Sequence, residues 1–220
     1  MARGARVMQK GYSPGLAARH LLRGPLNARD AMREILAQGG LSELWRLALF
    51  VLGTSLVVLV DLSDTSPIVL LSDHVGTLDS GKAVALLLAS YTTLFLGTVG
   101  ALYLVISVGT WAFARATSER PSLATVRTSV ALATWVAVLP SLGLTLIFEA
   151  LNQGTAGNVL IFFLGLAYIG LCLSEATGLA SAKAMAFAMA GSTLMLTLVL
   201  ILAVGLFGDV LSDFFAGDAP

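Results

Sequence analysis

The sequence predicts an all-α integral membrane protein, a bundle of five transmembrane helices with an N-terminal amphipathic interfacial helix. Residues 83–114 contain no charged side chain, and about 20 apolar residues already cross the hydrocarbon core of a bilayer. The chain is 57% hydrophobic and 12% charged, whereas a soluble domain carries about 25% charged residues. The basic residues also segregate to alternate connections. These observations exclude an ordinary water-soluble domain.

Residues 1–43 form a basic segment that is predicted to lie in the cytoplasm. Its basic side chains are Arg3, Arg6, Lys10, Arg19, Arg23, Arg29 and Arg33. The segment lacks the apolar core of a cleavable signal peptide, so we expect it to be retained. A helical pattern covers residues 15–22, and Gly24-Pro25 interrupts it.

A second short helix is predicted over residues 27–38. Its apolar residues recur at three- and four-residue spacing and make one stripe; they are Ala28, Ala31, Met32, Ile35 and Leu36. Asn27 is the expected N-cap, Asp30 completes a capping box, and Gly39-Gly40 ends the helix. Such a helix beside a membrane span usually lies in the headgroup layer as an anchor. The alternative is a docking surface for a cytoplasmic partner.

The transmembrane domain is predicted to cover residues 44–208. Its five spans are about 44–62, 84–112, 129–148, 158–173 and 184–207. Pro140 lies inside the third span and is expected to kink it, because proline removes one backbone hydrogen bond. Residues 61–82 form an acidic loop, and residues 209–220 form a short acidic tail.

Charge predicts the orientation of this arrangement. Of the thirteen lysines and arginines, all but Lys82 lie up to the start of the first span, in the loop at 115–127 or in the turn leading into the fifth span. Basic residues collect on the cytoplasmic side of a membrane. The N-terminus is therefore expected in the cytoplasm, and the C-terminus, with its acidic tail, outside it.

No catalytic motif is present. The sequence has no His-Glu-x-x-His, no Gly-x-Ser-x-Gly and no glycine-rich phosphate loop. His20 and His74 are predicted on opposite sides of the membrane, and Cys172 is the single cysteine. We therefore expect no enzyme activity, no cofactor, no metal and no nucleic acid partner.

The outer acidic loop offers one enzymatic alternative. Its carboxylates could bind a divalent cation through oxygen and serve a lipid-modifying enzyme; they belong to Asp61, Asp64, Asp73 and Asp79. A solvated loop that enforces orientation explains these acids more simply.

Glu149 and Glu175 are the remaining ionisable candidates, each at the end of a predicted span. A carboxylate in a membrane is a candidate for proton or ion handling, so a small transporter or channel that uses both is the alternative function. A carboxylate at a span end also reaches the headgroups and stays hydrated. Boundary residues are therefore the favoured interpretation.

Small residues predict helix packing. Gly178, Ala182, Ala186 and Ala190 recur every four residues into the fifth span, a spacing that lets two helix backbones approach closely. Gly97, Gly100, Gly165 and Gly170 are expected to do the same in the second and fourth spans. The contact is either inside one chain or the seam of a homo-oligomer.

Two stretches carry a likeness to a known family. The first is Pro25-Leu26-Asn27-Ala28-Arg29 with Ile35-Leu36, and the second is the loop 115–127 leading into Ala131, Ala133 and Trp135. With the basic N-terminus and five spans, they resemble the Yip family (Ypt-interacting proteins) in its bacterial form. The likeness covers most of residues 12–207. It implies a location in the bacterial inner membrane and, in eukaryotic members, binding of prenylated Rab GTPases.

The function expected from these features is that of a non-enzymatic scaffold, adaptor or accessory subunit that binds other membrane or cytoplasmic proteins. The candidate docking residues are Arg23, Arg29, Arg33, Arg115 and Arg120. Membrane lipid and a protein on the cytoplasmic face are the expected partners. We expect that removal of residues 1–38 leaves the bundle inserted and abolishes partner recruitment.

Overall fold

The computed structural model describes residues 12–58, 81–116, 120–151 and 153–216. Within these ranges the chain is helical, without a strand. The helices are α1 (Pro14–Arg23), α2 (Ala28–Ala37), α3 (Glu43–Val58), α4 (Gly81–Ala116), α5 (Leu123–Ala150), α6 (Gly154–Thr177) and α7 (Ser181–Ala216). The prediction of an all-α fold is confirmed for this part of the chain.

Four helices are long and apolar enough to cross a membrane. The candidate spans are Leu87–Ala116, Leu123–Ala150, Ala156–Thr177 and Ser181–Val199, with mean hydropathies between 1.5 and 2.1. They correspond to the predicted second to fifth spans. The predicted first span, 44–62, coincides with α3 as far as Val58, and its last residues lie outside the described ranges. A count of five spans stays a prediction.

The predicted outer loop lies mostly outside the described residues, as does the first part of the N-terminal segment. The predicted tail, 209–220, is helical as far as Ala216, because α7 continues beyond the predicted end of the fifth span. The four candidate spans belong to helices that are longer than predicted, because hydropathy detects only the apolar middle of a helix that continues into polar flanks. α4, for example, begins at Gly81 and ends at Ala116, whereas the predicted span covered 84–112.

α5 is the central helix of the bundle. It contacts α1, α2, α3, α4 and α6, whereas α7 packs on α4 and α6. Its first half is almost continuously buried, from Val126 through Val138. Pro140 lies inside the helix, which continues to Ala150. A kink at this residue stays a prediction.

The two short N-terminal helices pack on the bundle. α1 contacts α5, and α2 contacts α6 and α5. In α2 the apolar stripe is buried except for Leu36, which is 39% exposed, and Met32 and Ile35 are 0% exposed. The stripe therefore faces the spans of its own chain, not a headgroup layer or a separate protein. This contact argues against the expectation that the bundle is unaffected by removal of residues 1–38.

The N-terminal cap of α2 differs from the prediction, whereas its C-terminal end agrees with it. Asn27 occupies the N-cap position, but its side chain makes no capping hydrogen bond. The capping box is wrong, because Asp30 instead accepts a hydrogen bond from Arg33 at 3.0 Å. Gly39 and Gly40 end the helix as predicted, with φ of 87° and 90°. The Gly40 N–H donates to the carbonyl of Ile35 at 2.9 Å, which pairs a carbonyl of the last turn.

The predicted small-residue seam is replaced by a neighbouring one. Gly178 is the left-handed C-cap of α6, with φ 74°, and Ala182 and Ala186 are exposed. The packed side of α7 carries Ala184, Ala188 and Gly191 instead. The N-terminal part of α7 has two interleaved sets of alanines at four-residue spacing. Spacing alone could not decide which set faces α4 and α6.

Of the glycines in the second and fourth spans, some face open space and one lies at a close contact between helices. A Cβ built on Gly97, Gly100 or Gly165 meets no atom within 4 Å, whereas one on Gly170 comes within 2.8 Å of the Met185 Cα. Only Gly170 of this set makes a close approach between helices.

Candidate functional site

A polar cluster joins α1 to α2 on the N-terminal side of the bundle. His20 is buried, with 3% of its surface exposed. Its Nε2 lies 3.1 Å from the Glu34 carboxylate, and its Nδ1 lies 3.1 Å from the Tyr12 hydroxyl. A neutral ring protonated on Nε2 satisfies both contacts, since it donates to Glu34 and accepts from Tyr12. Arg19 pairs with the other oxygen of Glu34.

The environment shifts three groups of this cluster. Burial lowers the pKa of His20 below its ordinary value, although the hydrogen bond and charge of Glu34 oppose it. Burial acts to raise the pKa of Glu34, but hydrogen bonds from His20 and Arg19 outweigh it, so this pKa is lowered. Burial, and then the charge of Glu34, raise the pKa of Tyr12. At neutral pH the cluster holds a neutral imidazole beside a carboxylate.

Aromatic side chains of the long helices hold the backbone of α1 and of the α1–α2 turn. The indole Nε1 of Trp135 donates to the carbonyl of Ala17 at 2.8 Å. The hydroxyl of Tyr168 donates to the carbonyl of Pro25 at 2.8 Å. A Cβ built on Gly24 would lie 2.3 Å from Val136 Cγ1, so the turn touches α5 directly. These contacts fix the Gly24-Pro25 turn against α5 and α6.

A shallow cleft of about 200 Å³ lies between α1 and α2. Its lining includes Arg19, His20, Arg23, Asn27, Asp30 and Glu34. Both carboxylates of the lining are paired, Glu34 with Arg19 and Asp30 with Arg33, which lies outside the cleft. Arg23 has no carboxylate partner among the described residues.

A second cleft of about 320 Å³ lies where α5 begins and α6 ends. It is lined by Arg120, Pro121, Ser122, Thr125, Ala176, Thr177 and Leu179. Ser122 is the N-cap of α5 and accepts from the Thr125 N–H at 3.0 Å. The cleft therefore combines hydroxyl groups with one arginine.

The five predicted docking arginines are all exposed. Arg33 donates to Glu175 at 2.9 Å, which raises the pKa of this guanidinium through the hydrogen bond and the charge of the carboxylate. Arg29 donates to Ser181. The guanidinium of Arg115 lies 5.1 Å over the ring of Trp111. Arg23 and Arg120 line the two clefts.

Glu149 and Glu175 do not come together. Each lies near the C-terminal end of its helix, α5 and α6 respectively. These helices are consecutive and antiparallel, so the two carboxylates stand at opposite ends of the bundle. Glu175 is also bound to Arg33. A direct pair of carboxylates is excluded, and Glu175 serves as an anchor for α2.

The His20 cluster and the two aromatic donors were missed in the sequence. Arg19, His20 and Glu34 sit on helices separated by a Gly-Pro turn, and no local spacing brings them together. The signal that could have revealed the aromatic contacts was the placement of Trp135 and Tyr168 inside spans. A buried Trp or Tyr usually finds a partner for its polar atom.

No protein-family model matches the chain, and no curated protein or solved structure shows significant similarity to it. The resemblance to the Yip family therefore stays a prediction. In the described part of the chain, no group of three or more histidine, cysteine or acidic side chains forms a candidate metal site. Asp61, Asp64, Asp73 and Asp79 lie outside it.

Proposed function

We propose that this protein is a non-enzymatic membrane adaptor of the Yip-like type, located in a bacterial inner membrane. It has five spans, a cytoplasmic N-terminus and an extracytoplasmic C-terminus. Its basic cytoplasmic surface binds a protein with a complementary acidic surface. The observation that carries the proposal is that all five predicted docking arginines are exposed; four lie on helices of the bundle, and Arg120 lies just before the start of α5.

The fixed position of α2 supports a rigid docking surface. Met32 and Ile35 are fully buried, and Arg33 is tied to Glu175. A partner that binds here meets side chains that are already ordered, so less conformational entropy is lost on binding. The N-terminal helices thus act as a platform and not as a free arm.

The cleft beside Arg120 is the part of this surface that best fits a partner side chain. Its volume is about 320 Å³, and its lining supplies one guanidinium and the hydroxyls of Ser122, Thr125 and Thr177. Arginine forms paired hydrogen bonds with carboxylates. An acidic side chain of the partner is therefore the expected occupant.

The test is purification of the full chain from native membranes in a mild detergent, followed by mass spectrometry of what remains bound. We expect one stoichiometric protein companion. The double variant Arg115→Gln and Arg120→Gln should reduce its recovery about tenfold, equivalent to ~1.4 kcal/mol of binding. Gln153→Glu, an exposed position at the opposite end of α5 and α6, is the control and should leave recovery unchanged. Equal recovery with both variants would contradict the proposal.

The orientation has its own test. Alkaline phosphatase fused after Pro220 is expected to be active, because this enzyme requires an oxidising extracytoplasmic compartment for its disulfides. A green fluorescent protein fused at the same place is the complementary reporter. Fluorescence without phosphatase activity would place the C-terminus in the cytoplasm and reject the five-span orientation.

A further inference from the structure

The α1–α2 turn exposes two leucines beside arginines. Leu26 is 87% exposed and Leu22 is 68% exposed. Arg19 and Arg23 lie on the same exposed side of α1. A combination of exposed large apolar side chains with adjacent cations is typical of a segment at the boundary between headgroups and acyl chains.

The depth of this turn along the bundle agrees with such a location. The Pro25 carbonyl is bound by Tyr168, which lies nine residues before the end of α6 at Thr177. With a rise of 1.5 Å per residue, this places the turn about 13 Å inside the end of the helix. Gly24 touches Val136, about 20 Å from the start of α5 by the same rise. The turn lies beside the interior of two candidate spans.

The N–H groups of the turn and the Pro25 carbonyl are paired, as an apolar environment requires of backbone polar groups. The Gly24 N–H donates to the His20 carbonyl at 2.8 Å. The Leu26 and Asn27 N–H groups both donate to the Arg23 carbonyl at 3.2 Å. The Pro25 carbonyl receives the Tyr168 hydroxyl. Each of these groups keeps its partner without water.

Arg23 is the cation that remains for a ligand. The other arginine of the α1–α2 cleft, Arg19, is paired with Glu34, and Asp30 is paired with Arg33. Arg23 faces the cleft and has no carboxylate partner among the described residues. A phosphate is the anion that arginine binds well at a membrane surface.

We propose that the tip of the hairpin formed by α1 and α2 enters the leaflet on the N-terminal side of the bundle and binds a phospholipid there. Leu22 and Leu26 lie among the acyl chains, and Arg23 binds the headgroup phosphate at the mouth of the cleft. This proposal assigns Arg23 to a lipid phosphate, whereas the test of the adaptor function acts on Arg115 and Arg120, so the two proposals can fail separately.

Depth is tested by spin labelling of the full-length protein in vesicles of phosphatidylcholine and phosphatidylglycerol. The single cysteine Cys172 is fully buried and is replaced by alanine if it labels. Nitroxides are placed through Leu26→Cys and, as a control, through Ala37→Cys at the exposed end of α2. We expect the label at 26 to be relaxed by oxygen and protected from a water-soluble nickel complex, and the label at 37 to show the reverse. Equal access of nickel to both labels overturns the proposal.

Headgroup binding is tested by native mass spectrometry of the purified protein after incubation with the same lipids. Wild type is expected to retain a phospholipid, and Arg23→Gln to lower its occupancy at least fivefold. Arg120→Gln removes an exposed arginine from the other cleft and should change nothing. Unchanged occupancy in Arg23→Gln overturns the assignment of Arg23. Loss confined to phosphatidylglycerol would identify an anionic lipid, and equal loss of both lipids would identify the phosphate alone.

Discussion

Two of the helix contacts in this chain are made by opposite means. The N-terminal hairpin is attached to α5 and α6 by side chains, with Met32 and Ile35 buried and Arg33 paired with Glu175. α4 and α7 instead meet through their backbones at Gly109 and Gly191. A Cβ built on either glycine would lie 2.3 Å from the carbonyl oxygen of the other.

The two contacts also differ in whether their polar side chains are hydrogen-bonded. Around the hairpin, Trp135 and Tyr168 donate to backbone carbonyls. At the α4–α7 contact the hydroxyls of Ser107, Thr110 and Ser192 are buried, without a hydrogen-bond partner among the described residues. The first contact is specified by side-chain chemistry, and the second by the absence of side chains. The first should therefore respond to pH and to conservative changes, and the second to added volume alone.

The largest effect is expected from Gly109→Leu. The added side chain meets the backbone of α7, which cannot move aside without separating the two helices. We expect a loss of more than ~3 kcal/mol in stability, at the upper end of the range for overpacking. Thermal unfolding in detergent, followed by circular dichroism, measures it.

Gly97→Leu is the matched control on the same helix, because a Cβ at this position meets no atom within 4 Å. Its unfolding temperature should equal that of wild type. If both leucines destabilise equally, the close approach of α4 and α7 is wrong.

The hairpin contact is tested next by Met32→Ala. Truncation of a fully buried side chain leaves a cavity between α2 and the bundle, and we expect a loss of about 2 to 3 kcal/mol. Leu36→Ala removes a partly exposed leucine of the same helix and should cost less than about 1 kcal/mol. A larger effect at Leu36 would mean that α2 is rotated from the position described.

A smaller effect is expected from Tyr168→Phe, which removes one hydrogen bond and keeps the ring. Since the Pro25 carbonyl is left unpaired, we expect a loss of about 1 to 2 kcal/mol. Hydrogen exchange of the Leu26 and Asn27 amides should also accelerate, because the turn loses its anchor to α6. Unchanged exchange at these amides would show that the hydroxyl does not hold the turn.

The smallest effect is the pH dependence of the His20 cluster. Since burial holds the pKa of His20 below its ordinary value of about 6.5, the unfolded chain binds a proton first as the pH falls. The contribution of His20 to stability is therefore fully present above about pH 6.5 and is lost as the pH falls below that value. The lowered pKa of Glu34 acts in the same direction, but only below its ordinary value of about 4.5. The unfolding temperature of wild type should fall between pH 7.5 and 5.5, and His20→Gln should reduce the slope.

The α4–α7 contact contains no titratable side chain in the glycine crossing itself. Gly109→Ala should consequently lower the unfolding temperature by the same amount at pH 7.5 and 5.5. A pH-dependent effect of this variant would link the two contacts.

The sequence predicted which segments are helical better than it predicted how they pack. The helix over 27–38 is found at Ala28–Ala37, because a three- and four-residue apolar pattern and a Gly-Gly stop are local signals. The four long spans follow from hydropathy, which is a sum over neighbours in the chain. Each of these predictions uses only nearby residues.

The docking of the hairpin could not be predicted in the same way. The apolar stripe of α2 says that one face is buried, but lipid headgroups, a partner and the chain's own spans all satisfy that pattern. The pairing of Arg33 with Glu175 joins residues 142 positions apart, and no local spacing encodes it. The interleaved alanines of α7 are a second case, because their spacing does not show which of the two faces packs against α4 and α6.

The separation of Arg33 from Glu175 has a consequence for biosynthesis. At roughly 5 to 20 residues per second, α6 is completed about 7 to 28 s after α2. During that interval Met32 and Ile35 have no α6 to cover them, although the helix that carries them has already left the ribosome. The hairpin can dock only after α5 and α6 are inserted, so its attachment is a late step of assembly. A chain that stalls before Thr177 presents an uncovered apolar stripe, which quality-control proteases can recognise as unfinished.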